Sequence, residues 1–275
     1  MSRWPERTGF RGPATVTEST VHEVATTRFD DAVSHFATRG WVVVDLLPAS
    51  TRALLATWAD EVAACPESSG VLQHRELTDA GPQLCRSEHF VEVHAGLRDL
   101  LTTGPMIELA SALLGERAVL YKEKINHKLP GGAGYSPHQD APAYPLVASH
   151  VSAMVAIDDA DADNGGLEVV SDCFDRVLPT DERGCLDRSV VESLRWEPVE
   201  VPAGTTLWFH SRTPHRSGPN RSTRPRRALY PTYNAASEGD RRTEYYEAKA
   251  AAFAEAAEDD RALVSLIGDF EGRPV

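Results

Sequence analysis

Apolar residues in the first third of the chain recur at helical spacing, whereas in the middle they recur at strand spacing. Over 30–39, Val33, Phe36 and Ala37 mark one face of a short amphipathic helix, with Asp at its start and Gly40 to end it. The run Trp41-Val42-Val43-Val44-Asp45-Leu46-Leu47 reads as a buried strand from its β-branched content. Residues 48–64 place Leu54, Leu55, Trp58 and Val62 on one helical face. The segment 66–88 carries two breaker clusters, Ser68-Ser69-Gly70 and Ala80-Gly81-Pro82. It is expected to be irregular, with part of it covering a site as a lid. A further helix is expected over 104–114. Beyond Gly115 the pattern changes to strands at 118–129, 149–157, 167–170, 196–201, 205–210 and 227–234, separated by Gly, Pro and Asn. Short strands with such turns predict a mainly β chain, a sandwich or jelly roll with flanking α-helices. The Ala-rich tail over 242–266 is expected to be helical and packed outside the β core. Residues 1–27 are polar and punctuated by Pro and Gly, an N-terminal extension. No repeat or linker divides the chain. The expectation is one domain over 1–275, with helical support and lid in 28–117, the β core in 118–234 and a C-terminal helical segment in 235–275.

Composition narrows the function classes. At 275 residues, 41% hydrophobic and 25% charged, the chain is globular and long enough for a sizeable core. A net charge of -13 argues against nucleic acid as a partner. The N-terminus has no apolar segment of secretory type, and no apolar run has the length of a membrane span, so neither membrane nor export is expected. Cys65, Cys85, Cys173 and Cys185 include no close pair and read as reduced thiols of a cytoplasmic protein. The charge is uneven. From Pro202 to Thr232 there are six arginines and no acid, and Lys122, Lys124 and Lys128 alternate along one predicted strand. A solvated basic face would explain this, and so would a basic pocket for small anions inside an acidic shell. The position of both segments beside the candidate ligands described next favours the pocket for some of these residues. The acidic run 158–163 is a solvated loop, because it lacks the ligand spacing of a calcium loop.

Two motifs carry chemistry. In Pro137-His138-Gln139-Asp140, His138 and Asp140 stand two apart, which in a strand puts both on one face. His215, in Pro214-His215-Arg216-Ser217, can close a site with them from another strand. Two histidines and one carboxylate are the ligand set of non-haem Fe(II) oxygenases, which leaves positions open for co-substrates. The bare spacing is weak evidence. Arg226 strengthens it, eleven residues after His215 and at the start of the apolar run Arg227-Ala228-Leu229-Tyr230. An oxygenase that decarboxylates 2-oxoglutarate needs a forked cation for the far carboxylate of that co-substrate. Arg224 and Arg227 compete for the role; alternation turns Arg227 to the opposite face.

At this point the chain resembles the phytanoyl-CoA dioxygenase family of Fe(II)/2-oxoglutarate oxygenases. The resemblance is carried by Lys122-Glu123-Lys124-Ile125-Asn126, Lys128-Leu129-Pro130-Gly131-Gly132, Pro137-His138-Gln139-Asp140 and Asn164-Gly165-Gly166-Leu167-Glu168-Val169-Val170. Gly204-Thr205-Thr206-Leu207-Trp208-Phe209 and His215-Arg216-Ser217-Gly218-Pro219-Asn220 with Arg226 complete it, so that it spans about 118–234. It implies a double-stranded β-helix, a cupin-like jelly roll. It also implies Fe(II) on His138, Asp140 and His215, and 2-oxoglutarate on Arg226 and Ser217, with Lys124 and Asn126 approaching the co-substrate. The reaction it implies uses O2 and hydroxylates a small polar, anionic or zwitterionic metabolite with release of succinate and CO2. Phosphonates, amino acids and natural-product intermediates all fall in that range. The paired motifs at Lys122 and Lys128 look most like bacterial members of the 2-aminoethylphosphonate dioxygenase and ectoine hydroxylase types. Arg216 is a departure, since relatives often carry a small residue there.

Around this centre, Lys122, Lys128, Tyr135, Tyr144 and Arg216 are candidates to line the substrate pocket, and His127 is a weaker one. His210 and Trp208 read as core or loop residues. Because Asp140 is present, no ligand position is vacant for a halide; desaturation or ring chemistry stays open. Two other classes compete, a non-catalytic metal-binding jelly roll and a cupin that works without 2-oxoglutarate. The latter has no need of Arg226.

Overall fold

The computed structural model describes residues 29–258 and 262–275, so the extension expected over 1–27 lies outside the described residues. α1 (Phe29–Arg39) buries Ala32 and Phe36 and stops at Gly40, whose φ of 81° turns the chain into β1 (Trp41–Val44). A Cβ at Gly40 would also meet the Phe174 ring at 2.4 Å. The helix expected over 48–64 is broken into α2 (Ala49–Arg52) and α3 (Leu55–Ala63). The segment expected to be irregular is instead a hairpin, β2 (Leu72–Thr78) and β3 (Gly81–Glu88). Its Ala80-Gly81 breaker is the turn itself, with Gly81 at a φ of 101°. α4 (Ala95–Thr102) was not legible as a helix, and α5 (Pro105–Leu114) follows it with Pro in its first turn.

Eight further strands follow: β4 (Ala118–Lys128), β5 (Tyr135–His138), β6 (His150–Ala156), β7 (Leu167–Val169), β8 (Glu197–Pro198), β9 (Thr206–His210), β10 (His215–Ser217) and β11 (Arg226–Ala235). Helix α6 (Arg188–Ser193) precedes β8, and α7 (Arg242–Glu258) follows β11. The strands form two antiparallel sheets, a jelly roll. The larger runs β1-β9-β6-β11-β4-β3-β2 and the smaller β5-β10-β7-β8. One face of the large sheet packs on α1, α3, α4 and α5 through Val151, Ala153, Val155, Trp208 and Leu229. The other face meets the small sheet through Met154, Ala156, Leu207, Phe209, Ala228 and Tyr230. Period-two alternation sends successive residues to the two cores.

β4 departs from that alternation at one point. Thr232 pairs with Lys122 but Tyr233 pairs with Leu120, so Tyr121 is an extra residue, a β-bulge. Ala118 and Leu120 therefore join the helix-side core, while Lys122, Lys124 and Asn126 line a cavity between the sheets.

The helical tail is fastened to β4 by a buried acid. Glu123 is 0% exposed; it accepts from the backbone N–H of Phe90 at 2.8 Å and Val91 at 3.2 Å, and pairs with the Arg242 guanidinium on α7. Glu123→Ala is expected to destabilise the fold by about 3–5 kcal/mol, because it strands Arg242 and two buried amides. Urea denaturation of the variant measures this; a change below about 1 kcal/mol would mean that the tail is held by its packing alone. No helix among the described residues is long and apolar enough to cross a membrane.

Candidate active site

β5 and β10 are neighbours, and their register sets His138 directly opposite His215, with ring centroids 4.2 Å apart. Each imidazole is oriented by a backbone carbonyl: His138 Nδ1 donates to Ser136 O at 2.7 Å and His215 Nδ1 to Thr213 O at 3.0 Å. With Nδ1 committed as a donor, each Nε2 is left as a lone-pair ligand. Burial, then neighbouring His138, pushes His215 down to about 4, so it is neutral at neutral pH, as a metal ligand must be.

Asp140 reaches the same place by a route the sequence did not show. β5 ends at His138, and Asp140 has helical dihedrals (φ -70°, ψ -30°) that open the short turn Ala141–Ala143. The two-residue strand repeat expected for His138 and Asp140 is thus not what aligns them. Asp140 Oδ1 lies 3.9 Å from His138 Nε2 and 4.0 Å from His215 Nε2. One ligand atom from each of the three buried residues lies within 4.8 Å of the others. Burial would raise the Asp140 carboxyl, but His215, Lys122, Lys124 and His138 hold it well below the usual carboxylate range. Its Oδ2 accepts from Ser152 Oγ at 2.9 Å, and Ser152 in turn meets Thr232 Oγ1 at 2.9 Å. Ser152→Ala is expected to lower Fe(II) affinity roughly 10- to 100-fold, the usual cost of losing an orienting partner. An anaerobic iron titration reads this, and unchanged affinity would show that Asp140 is placed by its turn alone.

Two groups of cations stand near the triad, one behind the cavity wall at Ser217 and Tyr230 and one on the wall itself. In the first, Arg226, the opening residue of β11, pairs in register with Lys128 and is 0% exposed. Its Nη2 donates to Gly165 O at 2.6 Å and its Nη1 to Tyr230 Oη at 3.0 Å, while its Nε is buried without a partner. Lys128 Nζ donates to Ser217 Oγ at 2.8 Å, to Gly218 O at 2.5 Å and to Gly165 O at 3.3 Å. Burial, reinforced by Arg226, pulls the Lys128 ammonium well below its ordinary range. Ser217, Arg226 and Lys128 thus form one cluster, and no carboxylate lies within 4 Å of either cation among the described residues. Arg224 is exposed and paired with Asp161, and Arg227 is on the opposite face with Asp158, as alternation required.

The second group faces the triad from β4. Lys122 Nζ stands 4.2 Å from the centroid of the Tyr144 ring and Lys124 Nζ 5.5 Å from that of Tyr230. Burial pushes Lys122 down to about 8 and pulls Lys124 well below its ordinary value. Asn126 Oδ1 accepts from Arg86 Nε at 3.1 Å. Tyr135 lines the cavity with the triad, and Tyr144 lines its continuation toward α7.

Arg216 also borders the cavity, but its guanidinium is committed to Glu168 by two hydrogen bonds, at 3.1 and 2.8 Å, and stacks over Trp196. His127 faces away from the cavity and meets Ser87 Oγ at 3.0 Å, and the His210 ring packs on Phe36 and Phe174.

Four charged residues in the wall were not found by sequence reasoning. Arg86 and Glu88 come from the unexpected hairpin, Lys249 from α7 and Asp269 from the C-terminal segment. Glu88 binds Lys249 at 2.7 Å and Arg86 at 3.5 Å, and those cations outweigh burial to hold its carboxyl far below the usual range. The alternation of Arg86 and Glu88 was the one available signal.

Comparison with known proteins agrees with this geometry. Residues 40–228 match the family described as phytanoyl-CoA dioxygenase. The chain is 41% identical over 254 residues to a methylphosphonate hydroxylase of Gimesia maris, covering 90% of this chain and 98% of that protein. It is 36% identical over 207 residues to a 2-aminoethylphosphonate dioxygenase of the uncultured bacterium HF130_AEPn_1, covering 73% and 79%. Among solved structures, EctD from S. alaskensis with 2-oxoglutarate and 5-hydroxyectoine shares the fold, with a TM-score of 0.65 at 17% identity, covering 81% of this chain and 82% of that one.

Proposed function

Because this chain belongs to the phytanoyl-CoA dioxygenase family, we propose that it is an Fe(II)- and 2-oxoglutarate-dependent hydroxylase of a small phosphonate. The observation that carries the reading is the pairing of a buried His-Asp-His triad with two groups of basic side chains that have no carboxylate within 4 Å among the described residues. The far carboxylate of 2-oxoglutarate accounts for one group; Lys122 and Lys124 face Asp140 and have room for a substrate anion beside it.

His138, Asp140 and His215 would hold the iron, a donor set suited to Fe(II) with positions left open. Arg226 and Ser217 would take the far carboxylate of 2-oxoglutarate. Arg226 offers the forked geometry, and Lys128 keeps the Ser217 hydroxyl aimed and adds charge. When bound, iron and 2-oxoglutarate supply the oxidising chemistry, with O2 consumed and succinate and CO2 released. The protein supplies placement and electrostatics. Lys122 and Lys124 would donate to the phosphonate, whose negative charge offsets the burial that disfavours their protonated form, with Asn126 beside them. Tyr135 and Tyr144 wall the cavity. The two phosphonate-acting relatives, each sharing more than a third of its aligned residues with this chain, support the substrate class.

The test is phosphonate-dependent succinate release. Iron-loaded protein with 2-oxoglutarate and O2 is offered methylphosphonate, 2-aminoethylphosphonate and carboxylates of equal size. Stimulation by phosphonates above the carboxylates is expected. A carboxylate or neutral compound that outperforms every phosphonate would overturn the assignment.

A further inference from the structure

We infer that Asp269 reads a cationic group on the substrate, so that the phosphonate taken by this pocket carries an ammonium as well as its anion. The inference rests on the phosphonate reading above and narrows it. Asp269 lies beyond the stretch 40–228 that matches the family. It sits on the C-terminal segment, which lies along β5: the Ser136 N–H donates to Asp269 O at 2.7 Å, and Phe270 bridges Tyr135. That pairing sets the side chain at the triad. Asp269 Oδ2 is 3.6 Å from His138 Nε2, nearer than the Asp140 oxygen at 3.9 Å.

The carboxylate has no cation in direct contact there among the described residues. Asp269 is 4% exposed, and its Oδ1 is buried without a hydrogen-bond partner. No lysine or arginine nitrogen among the described residues lies within 4 Å of it. Arg86, Lys124 and Lys249 are within electrostatic reach but not in contact: the Nε and Nη1 of Arg86 go to Asn126, Val264, Ser265 and Glu88, and its Nη2, like Asp269 Oδ1, is buried without a partner. A buried, unpaired carboxylate oxygen is costly, so the site is built for a partner. Iron is a poor candidate, since Asp140 and the one carboxylate of 2-oxoglutarate not taken by Arg226 would already balance its two positive charges. With Lys122 and Lys124 facing the anion, the missing partner is a cation on the same small molecule. A short zwitterion with an ammonium a few bonds from the phosphonate satisfies both ends. Of the substrates named for the two relatives, 2-aminoethylphosphonate has this form and methylphosphonate does not.

The test compares 2-aminoethylphosphonate with ethylphosphonate, which has the same length and no amine. Wild type, Asp269→Asn and Asp269→Ser are measured for succinate release, and for binding by anaerobic calorimetry with iron and 2-oxoglutarate loaded. The visible absorption of the iron–2-oxoglutarate complex checks that the centre itself is intact in each variant. Wild type is expected to favour the amine-bearing compound roughly 10- to 100-fold, the range of a charged hydrogen bond. Both variants are expected to bring that ratio to about one, through KM and the binding constant more than kcat. A wild type that ignores the amine, or variants that weaken both compounds alike, would overturn the role of Asp269. If wild type neither binds nor is stimulated by any phosphonate, the phosphonate reading falls and this inference falls with it.

Discussion

Alanine at His138, Asp140 or His215 is expected to abolish stoichiometric Fe(II) binding and to cut phosphonate-dependent succinate release by at least about a thousand-fold. Each residue supplies one of three converging donor atoms, and losing a ligand forfeits several kcal/mol of metal-centred stabilisation. The fold should survive, because all three side chains border the cavity and not the two apolar cores. Iron analysis and anaerobic titration are the direct measurements, with circular dichroism as the control. A variant that keeps wild-type iron and wild-type turnover takes its residue out of the ligand set.

The second large effect belongs to Arg226. Arg226→Ala is expected to raise the 2-oxoglutarate requirement by two orders of magnitude or more, from roughly 2–5 kcal/mol for an unpaired buried charge. Alanine there also removes the donor to Gly165 O, so a stability loss accompanies it. Arg226→Lys separates the two effects, because it keeps the charge and loses the fork. A lysine variant that melts near wild type but needs much more 2-oxoglutarate supports the clamp. Arg224→Ala should change the requirement less than about twofold, since Arg224 is an exposed partner of Asp161. A wild-type requirement in Arg226→Lys, or a large shift in Arg224→Ala, would relocate the clamp.

The strands of the β core were legible because β-branched residues alternate between two apolar layers. The hairpin β2–β3 was not, because its cavity-facing residues Arg86 and Glu88 are charged. A strand facing a charged cavity carries no hydrophobic period to read. The three triad residues were found from spacing and resemblance, yet Asp140 arrives through a turn and not through strand alternation. Arg216 looked available from its place beside His215, but the sequence did not reveal Glu168 waiting opposite it on β7. Lys249 and Asp269 enter the cavity from segments with no local pattern that distinguishes them, and only tertiary packing assigns them there.

The bulge at Tyr121 has a consequence for how this protein can evolve. Were β4 regular, the even-numbered positions from 118 to 128 would share one face, and Ala118 and Leu120 would point with the lysines into a charged cavity. The extra residue uncouples the two halves of the strand. Exchanges at 122, 124 and 126 can therefore retune the ligand chemistry while 118 and 120 go on serving the helix-side core. Insertion or deletion of a single residue between 122 and 126 would instead flip part of the strand, driving charge into the apolar core or apolar residues into the cavity. Along this strand, substrate range is open to substitution and closed to changes of length.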